Sequence, residues 1–265
     1  MQRELITYPD QRLMAEAVAA RTLLTINDVL CDPDRRRVDL AVTGGTDGTA
    51  ILSAMADSPL LDSVDWHRVH VWWSDERFVP ADSDERNDRG AMAALLNRLI
   101  ASGAMDAAQI HPMPADTRSS REAANASGQE TAQVLMDAAS HYQMELLHEL
   151  GQDAAMDIML FGLGPDGHVA SLFPDRREVL IDDPELLVVG LDGSPKPPAR
   201  RLTMTIPFIR RTSYVWVCGS RQAKAQAMDA TFHASCDPHA PASWLDATRQ
   251  LLWIGDRAST VQARH

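Results

Sequence analysis

Lysine is almost missing from this chain. Of 25 basic residues only two are lysines, Lys196 and Lys224, and arginine supplies the rest. The bias itself carries no function. The two that remain are either chance survivors or positions that use a compact ammonium on a flexible stem. Cysteine is scarce as well: Cys31, Cys218 and Cys236 are far apart, with no CxxC pair. That excludes a disulfide framework and a zinc ribbon, and fits a reducing compartment. No run of about 18 apolar residues occurs, and the first residues lack the basic-then-apolar order of a secretory signal. The expectation is a cytoplasmic protein without a membrane partner. Positive charge is also in deficit, the formal net charge being −12, which argues against a nucleic-acid partner. Linkers rich in Ser, Gly or Pro, charge blocks and internal repeats are all absent, so residues 1–265 are expected to form a single domain.

What is present is an ordinary globular composition, 45% hydrophobic, arranged as strands alternating with helices. Asp10 is placed to cap a helix running to about Leu30, with Leu13, Ala17, Ala20 and Leu24 on one face. Val38 to Val42 read as a strand that empties into Thr43-Gly44-Gly45-Thr46-Asp47-Gly48, with a helix beyond. Val69 to Trp73 form the next strand, ending at Ser74-Asp75-Glu76-Arg77-Phe78, and a helix follows from about Asn87 to Ile100. Ser119-Ser120-Arg121-Glu122 is a capping box that should open a long helix to about Leu150. Ile158 to Phe161, a short apolar run, read as a buried strand ending in Gly162-Leu163-Gly164-Pro165-Asp166-Gly167-His168, then a short helical turn stopped by Pro174. Strands follow at Leu186 to Leu191, Tyr214 to Cys218 and Gln250 to Ile254, with a helix from Arg221 to Phe232. The alternation predicts an α/β fold: three layers, with a roughly six-stranded, mostly parallel Rossmann-like sheet between helices.

In such sheets ligands bind beyond the carboxyl ends of the strands, so the loops there are the candidates for function. Gly162, Gly164 and Gly167 formally spell GxGxxG, but Pro165-Asp166 puts a rigid residue and a carboxylate where a pyrophosphate would meet backbone amides, and too little helix follows. A nucleotide cofactor is therefore not expected. Thr43 to Thr46 offer consecutive glycine amides and two hydroxyls at a helix N-terminus, either a phosphate cradle or a tight turn. Arg77 stands at a strand end beside Asp75 and Glu76, able to grip phosphate or to join a solvated charge cluster. Asp166 and His168, two residues apart on the glycine loop, suit a general base with a carboxylate to steady it. Asp166 could equally cap the short helix. No HxxxH or HxH spacing suggests a metal, and the other eight histidines, His70 and His111 among them, are taken as structural or surface. GxSxG is absent, and Cys218 lies inside an apolar strand, so no covalent nucleophile is evident.

These segments together carry a resemblance. The chain resembles the 6-phosphogluconolactonase family, which is related to the glucosamine-6-phosphate deaminases. The matching stretches are Thr43 to Thr46, Ser74 to Pro80 with Asn87, Gly162 to Pro174, Ser194 to Pro198 with Arg201-Leu202-Thr203, and Gly219 with Lys224-Ala225. They run in family order from about residue 39 to 256. The resemblance implies the deaminase/ribose-5-phosphate isomerase-like form of the fold. It also implies hydrolysis of 6-phospho-D-glucono-1,5-lactone to 6-phosphogluconate, with no required metal or organic cofactor and a sugar-phosphate lactone as the only partner, on a monomer or small homo-oligomer. By the same resemblance His168 and Asp166 are catalytic and Gly44, Gly45, Thr46, Arg77 and Lys224 hold phosphate. Gly164 and Gly167 form a substrate or oxyanion loop, with Asp75, Lys196 and Arg201 as further site residues. Ser171 to Pro174 and Arg77 stand where a deaminase has other residues, so the deaminase/isomerase is the alternative. A non-catalytic sugar-phosphate binder is the second. Asp47 departs from the family pattern, and a carboxylate there is awkward beside phosphate. Either it points away or that loop binds less directly.

Overall fold

The computed structural model describes residues 2–263. Ten strands form two sheets: β1 Arg3–Tyr8, β2 Val38–Val42, β3 Val69–Trp73, β4 Asp75–Arg77, β5 Ile110–His111, β6 Ile158–Gly162, β7 Val188–Leu191, β8 Arg201–Met204, β9 Tyr214–Gly219 and β10 Gln250–Asp256. The helices are α1 Gln11–Leu30, α2 Gly45–Asp57, α3 Asn87–Ala91, α4 Asn97–Ala101, α5 Ser120–Asn125, α6 Gly128–Leu150, α7 Ile206–Ile209 and α8 Ala225–His233. A π-helical turn, Met92–Leu96, joins α3 to α4.

The main sheet has seven strands in the order β1-β10-β9-β6-β2-β3-β5, every neighbouring pair parallel. Helices flank it on both faces, so its central strands are buried throughout: β2 is fully buried and β6 is buried up to Gly162. From β2 the chain moves outward through β3 to β5; from β6 it moves the other way through β9 to β10. The order therefore reverses between β2 and β6, and the crevice above that pair is the natural ligand position. A smaller antiparallel sheet, β4-β8-β7, stands beyond β3 and walls the crevice. Among the described residues no helix is long and apolar enough to cross a membrane.

Several sequence expectations are corrected here. β1 had no strand signal, because an edge strand of a half-buried pattern carries little apolar periodicity. Asp10 does cap α1, accepting from Leu13 N at 2.9 Å. The buried face, however, is Met14, Ala15, Val18, Ala19, Leu23 and Ile26, and Leu24 is exposed. The chosen stripe was rotated by about one residue, since small alanines on several faces leave the moment weakly directed. The strand at β7 belongs to the small sheet, and β4 and β8 were not foreseen as strands. The Ser119 box opens only α5, which buries nothing. A second box, Ser127 with Glu130, opens the long helix α6 after Ala126 breaks out of helical geometry. Between Gly162 and Pro174 there is no helix but a tight turn with a Val169–Leu172 bridge, so Asp166 caps nothing.

This division makes unequal demands on the two serines. Ser127→Ala should lower unfolding free energy by about 1 kcal/mol in urea titration, because α6 packs Leu135, Tyr142 and Leu146 into the core. Ser119→Ala should change it by much less, and equal losses would contradict separate helices.

Candidate active site

Four adjacent strands of the main sheet, β3, β2, β6 and β9, deliver their following loops to one edge. There a cavity of about 270 Å³ is lined by Gly44, Gly45, Thr46, Asp75, Arg77, Gly164, His168, Lys196, Arg201 and Lys224 among others. All but two of the site residues expected from sequence meet in this lining; Asp166 and Gly167 sit just behind it, in the same loop.

The glycines are required by crowding. A Cβ on Gly44 would lie 1.8 Å from Asn87 Oδ1, and Asn87 is itself pinned by donating to Asp75 O at 2.9 Å. A Cβ on Gly164 would lie 1.9 Å from His168 Nδ1, so only glycine admits the imidazole. Gly167 adopts a positive φ of 84° to close the turn. The expected oxyanion role of these glycine amides is corrected. Gly164 N donates to His168 O at 2.8 Å, and Gly167 N donates to Gly164 O at 3.0 Å. Both amides are committed to holding the loop.

His168 Nδ1 lies 2.5 Å from Asp166 Oδ1, which leaves Nε2 as the ring nitrogen available to a ligand. Lys196 Nζ reaches the same carboxylate oxygen at 2.9 Å and stands 3.1 Å from His168 Nδ1. Burial alone would raise the Asp166 pKa, but the hydrogen bond and charge of His168 and then Lys196 hold it well below the usual carboxylate range. Lys196, named only as a further candidate from sequence, is therefore part of the central cluster. It stands 28 residues from His168 on a proline-rich loop, a distance no motif spacing could bridge.

The second lysine, Lys224, donates to Asp47 Oδ2 at 2.5 Å. Asp47 lines the cavity beside the glycine turn, but its carboxylate is engaged by other groups: it also accepts from Ser220 N at 3.1 Å, Ser220 Oγ at 2.5 Å and Gln11 Nε2 at 3.1 Å. Burial would raise its pKa, and the charge and hydrogen bond of Lys224 together with Ser220 bring it down instead. The departure from the family pattern is thus accommodated, and it orients a cation.

Two arginines complete the wall. Arg77 and Arg201 are direct cross-strand partners in the β4–β8 pair, an arrangement of like charges that an anion relieves. Arg201 is buried, its guanidinium donating to the carbonyls of Pro198 at 2.8 Å and Pro197 at 3.1 Å, and burial lowers its pKa. Arg77 Nη1 donates to Glu85 O at 2.5 Å, while its Nε is buried with no partner among the described residues. Asp75 is held by Ser171 Oγ at 2.7 Å.

Glu76, missed as a functional residue, sits behind Arg77. Its carboxylate accepts from the backbone amides of Arg77 and Asn87 at 2.7 Å and of Asp88 at 2.9 Å, with Arg86 3.9 Å away. One fully buried side chain thus ties the arginine strand to the Asn87 helix. Its position next to Arg77 in sequence was visible; its inward direction was not.

Residues 9–253 match the family described as Glucosamine-6-phosphate isomerases/6-phosphogluconolactonase, and the chain belongs to that family. It is 35% identical over 259 residues to the 6-phosphogluconolactonase of Streptomyces coelicolor, covering 98% of this chain and 94% of that one. It is 33% identical over 263 residues to the 6-phosphogluconolactonase of Mycobacterium tuberculosis, covering 99% of each. Among solved structures, 6-phosphogluconolactonase from Leishmania guyanensis superposes with a TM-score of 0.81 at 21% identity over 98% of both chains. A monomeric glucosamine-6-phosphate deaminase superposes with a TM-score of 0.69 at 16% identity, over 99% of this chain and 100% of that one. At these identities the structural likeness establishes the fold alone.

Burial pushes the Glu76 carboxyl up to about 7 from 4.5, against the pull of Arg86 and the three amides. The folded state therefore keeps a proton that the unfolded chain releases between these values. Stability contributed by this group falls as pH rises through that window. Glu76→Gln should flatten the dependence in urea titrations across pH 4.5 to 7; an unchanged slope would assign it to other groups.

Proposed function

We propose that this chain hydrolyses 6-phospho-D-glucono-1,5-lactone to 6-phospho-D-gluconate in the oxidative pentose phosphate pathway, acting as one domain in the cytoplasm, as a monomer or small homo-oligomer. The observation that carries the reading is one cavity in which an Asp-oriented imidazole faces four cationic side chains, Arg77, Lys196, Arg201 and Lys224. An anionic substrate needs the cations, and a lactone needs only an activated water.

The phosphate is bound by the amides and hydroxyl of Gly44, Gly45 and Thr46 at the N-terminus of α2, with Arg77 and Lys224. Binding there, remote from the reacting carbon, orients the ring over the β6 loop. His168 Nε2 takes a proton from water as the water oxygen bonds to C1 of the lactone. Asp166 holds the tautomer and stabilises the imidazolium. The tetrahedral intermediate then expels the ring oxygen, which takes the proton back from Nε2, and the acid formed loses its proton to solvent. Lys196 supplies positive charge beside the developing oxyanion, a role the committed amides of Gly164 and Gly167 do not fill. A chain of net charge −12 attracts this anion because the cluster is local, whereas distant surface charge is screened beyond about 8–10 Å.

A coupled assay with freshly made lactone, corrected for spontaneous hydrolysis and run beside glucosamine 6-phosphate, tests the reading. Deamination without lactonase activity would favour the deaminase alternative, and binding without turnover the non-catalytic one. His168→Ala should reduce kcat by at least about a hundredfold, while Arg77→Ala should mainly raise KM. A fully active His168→Ala removes the general base.

Asp47 gives a sharper test of positioning. Asp47→Ala should raise KM for the lactone severalfold with kcat little changed, since it frees Lys224 from its tether. A fall in kcat at unchanged KM would place Lys224 at the reacting carbon.

A further inference from the structure

Away from the catalytic crevice, two imidazoles and a carboxylate are gathered from three elements. His70 on β3 and His111 on β5 are neighbours across the sheet, with His70 Nδ1 2.9 Å from His111 Nε2. Glu149, near the end of α6, completes a set whose ligand atoms all lie within 4.8 Å of one another. We propose that His70, His111 and Glu149 form a binding site for a divalent transition-metal ion of the zinc class, separate from the lactone site and independent of its chemistry.

Ligand type supports the assignment first. Two imidazole nitrogens and one carboxylate oxygen suit zinc-class ions, and three protein ligands leave a fourth position for water. Half-buried His70 and Glu149 leave that position open to solvent, whereas His111 is buried.

Orientation is the second support. His111 Nδ1 lies 2.8 Å from Glu145 Oε1, the carboxylate–imidazole contact that fixes a metal-binding ring and raises its basicity. The Trp72 ring stacks on His111 at 3.8 Å with an interplanar angle of 7°, holding Nε2 toward His70. The two rings are nearly coplanar with centroids 5.2 Å apart, so as they stand the facing nitrogens share an N–H···N hydrogen bond; an ion held at about 2.0–2.1 Å from each nitrogen displaces that proton and turns both rings until their lone pairs converge on it.

Charge is the third. Arg37 opposes a cation here, but it is already shared by Glu149 Oε2 at 2.8 Å and Asp39 Oδ1 at 3.1 Å. Glu149 is thus already paired with Arg37, and an ion at this site shares its carboxylate with that guanidinium. The sequence concealed the site because His70 and His111 are 41 residues apart and neither lies in a ligand motif.

Titration of zinc chloride into the full chain by calorimetry, with thermal melts in parallel, tests this. Saturable one-to-one binding is expected, with a Tm that rises with zinc concentration and returns on chelation. His70→Ala should abolish that binding, and Glu145→Gln should weaken it by at least about tenfold while leaving a cooperative melt. Should His111→Ala fail to fold, these two half-exposed positions still decide the matter. Absence of saturable binding overturns the proposal. So does a wild-type isotherm in His70→Ala, which would assign the ion to surface groups such as His233 beside Asp229 or His239 beside Asp175.

Discussion

The pairing of β2 with β6 is the constraint on which the site depends. Leu40 lies opposite Ile158 and Ala41 opposite Met159, and this short parallel contact joins two halves of the sheet that wind in opposite directions. Because both strands point the same way, the glycine turn after β2 and the glycine–histidine loop after β6 emerge side by side. Their closeness is measurable: a Cβ on Gly162 would sit 3.7 Å from Gly44 O. A slip of one residue in this register would invert the buried faces of strands that have no polar face to offer. The β2–β6 pairing therefore fixes where the Gly44–Gly45 turn stands relative to the loop that carries His168.

Within the crevice, carboxylates are placed behind the cations. Asp166 serves both His168 and Lys196, and Asp47 holds Lys224. This solves a problem of preorganisation. Several cations crowded into one cavity repel one another and cost stability unless each has a partner, yet they must stay available to an anion. A carboxylate that contacts the cation from the protein side meets both demands. Arg77 and Arg201, opposite each other in the β4–β8 pair, are the least compensated of the group, and Arg77 keeps an unpartnered buried Nε.

Chemistry at strand ends was legible in the chain because it is local. The turn Gly44-Gly45-Thr46, the Asp166–His168 pair and Arg77 each combine glycine freedom, charge or titratability within a few residues of a strand end, and the parallel α/β alternation says that strand ends share an edge. The apolar runs of β2, β3, β6, β9 and β10 determined those strands almost residue for residue, since a strand buried on both faces has no other reading. The family resemblance added the roles, on the same short stretches.

Tertiary structure alone decided what depends on groups far apart in sequence. It brought Lys196 to Asp166, turned Asp47 onto Lys224, committed the Gly164 and Gly167 amides to their own loop, and set His70 beside His111. Strands β4 and β8 of the second sheet and the edge strand β1 were also hidden, because their pairing comes from neighbours and their own sequences carry little periodicity. Local propensity and burial patterning act over a few residues and are written in the chain. Direction of a side chain, and the partner it meets, are settled only when packing brings distant elements into contact.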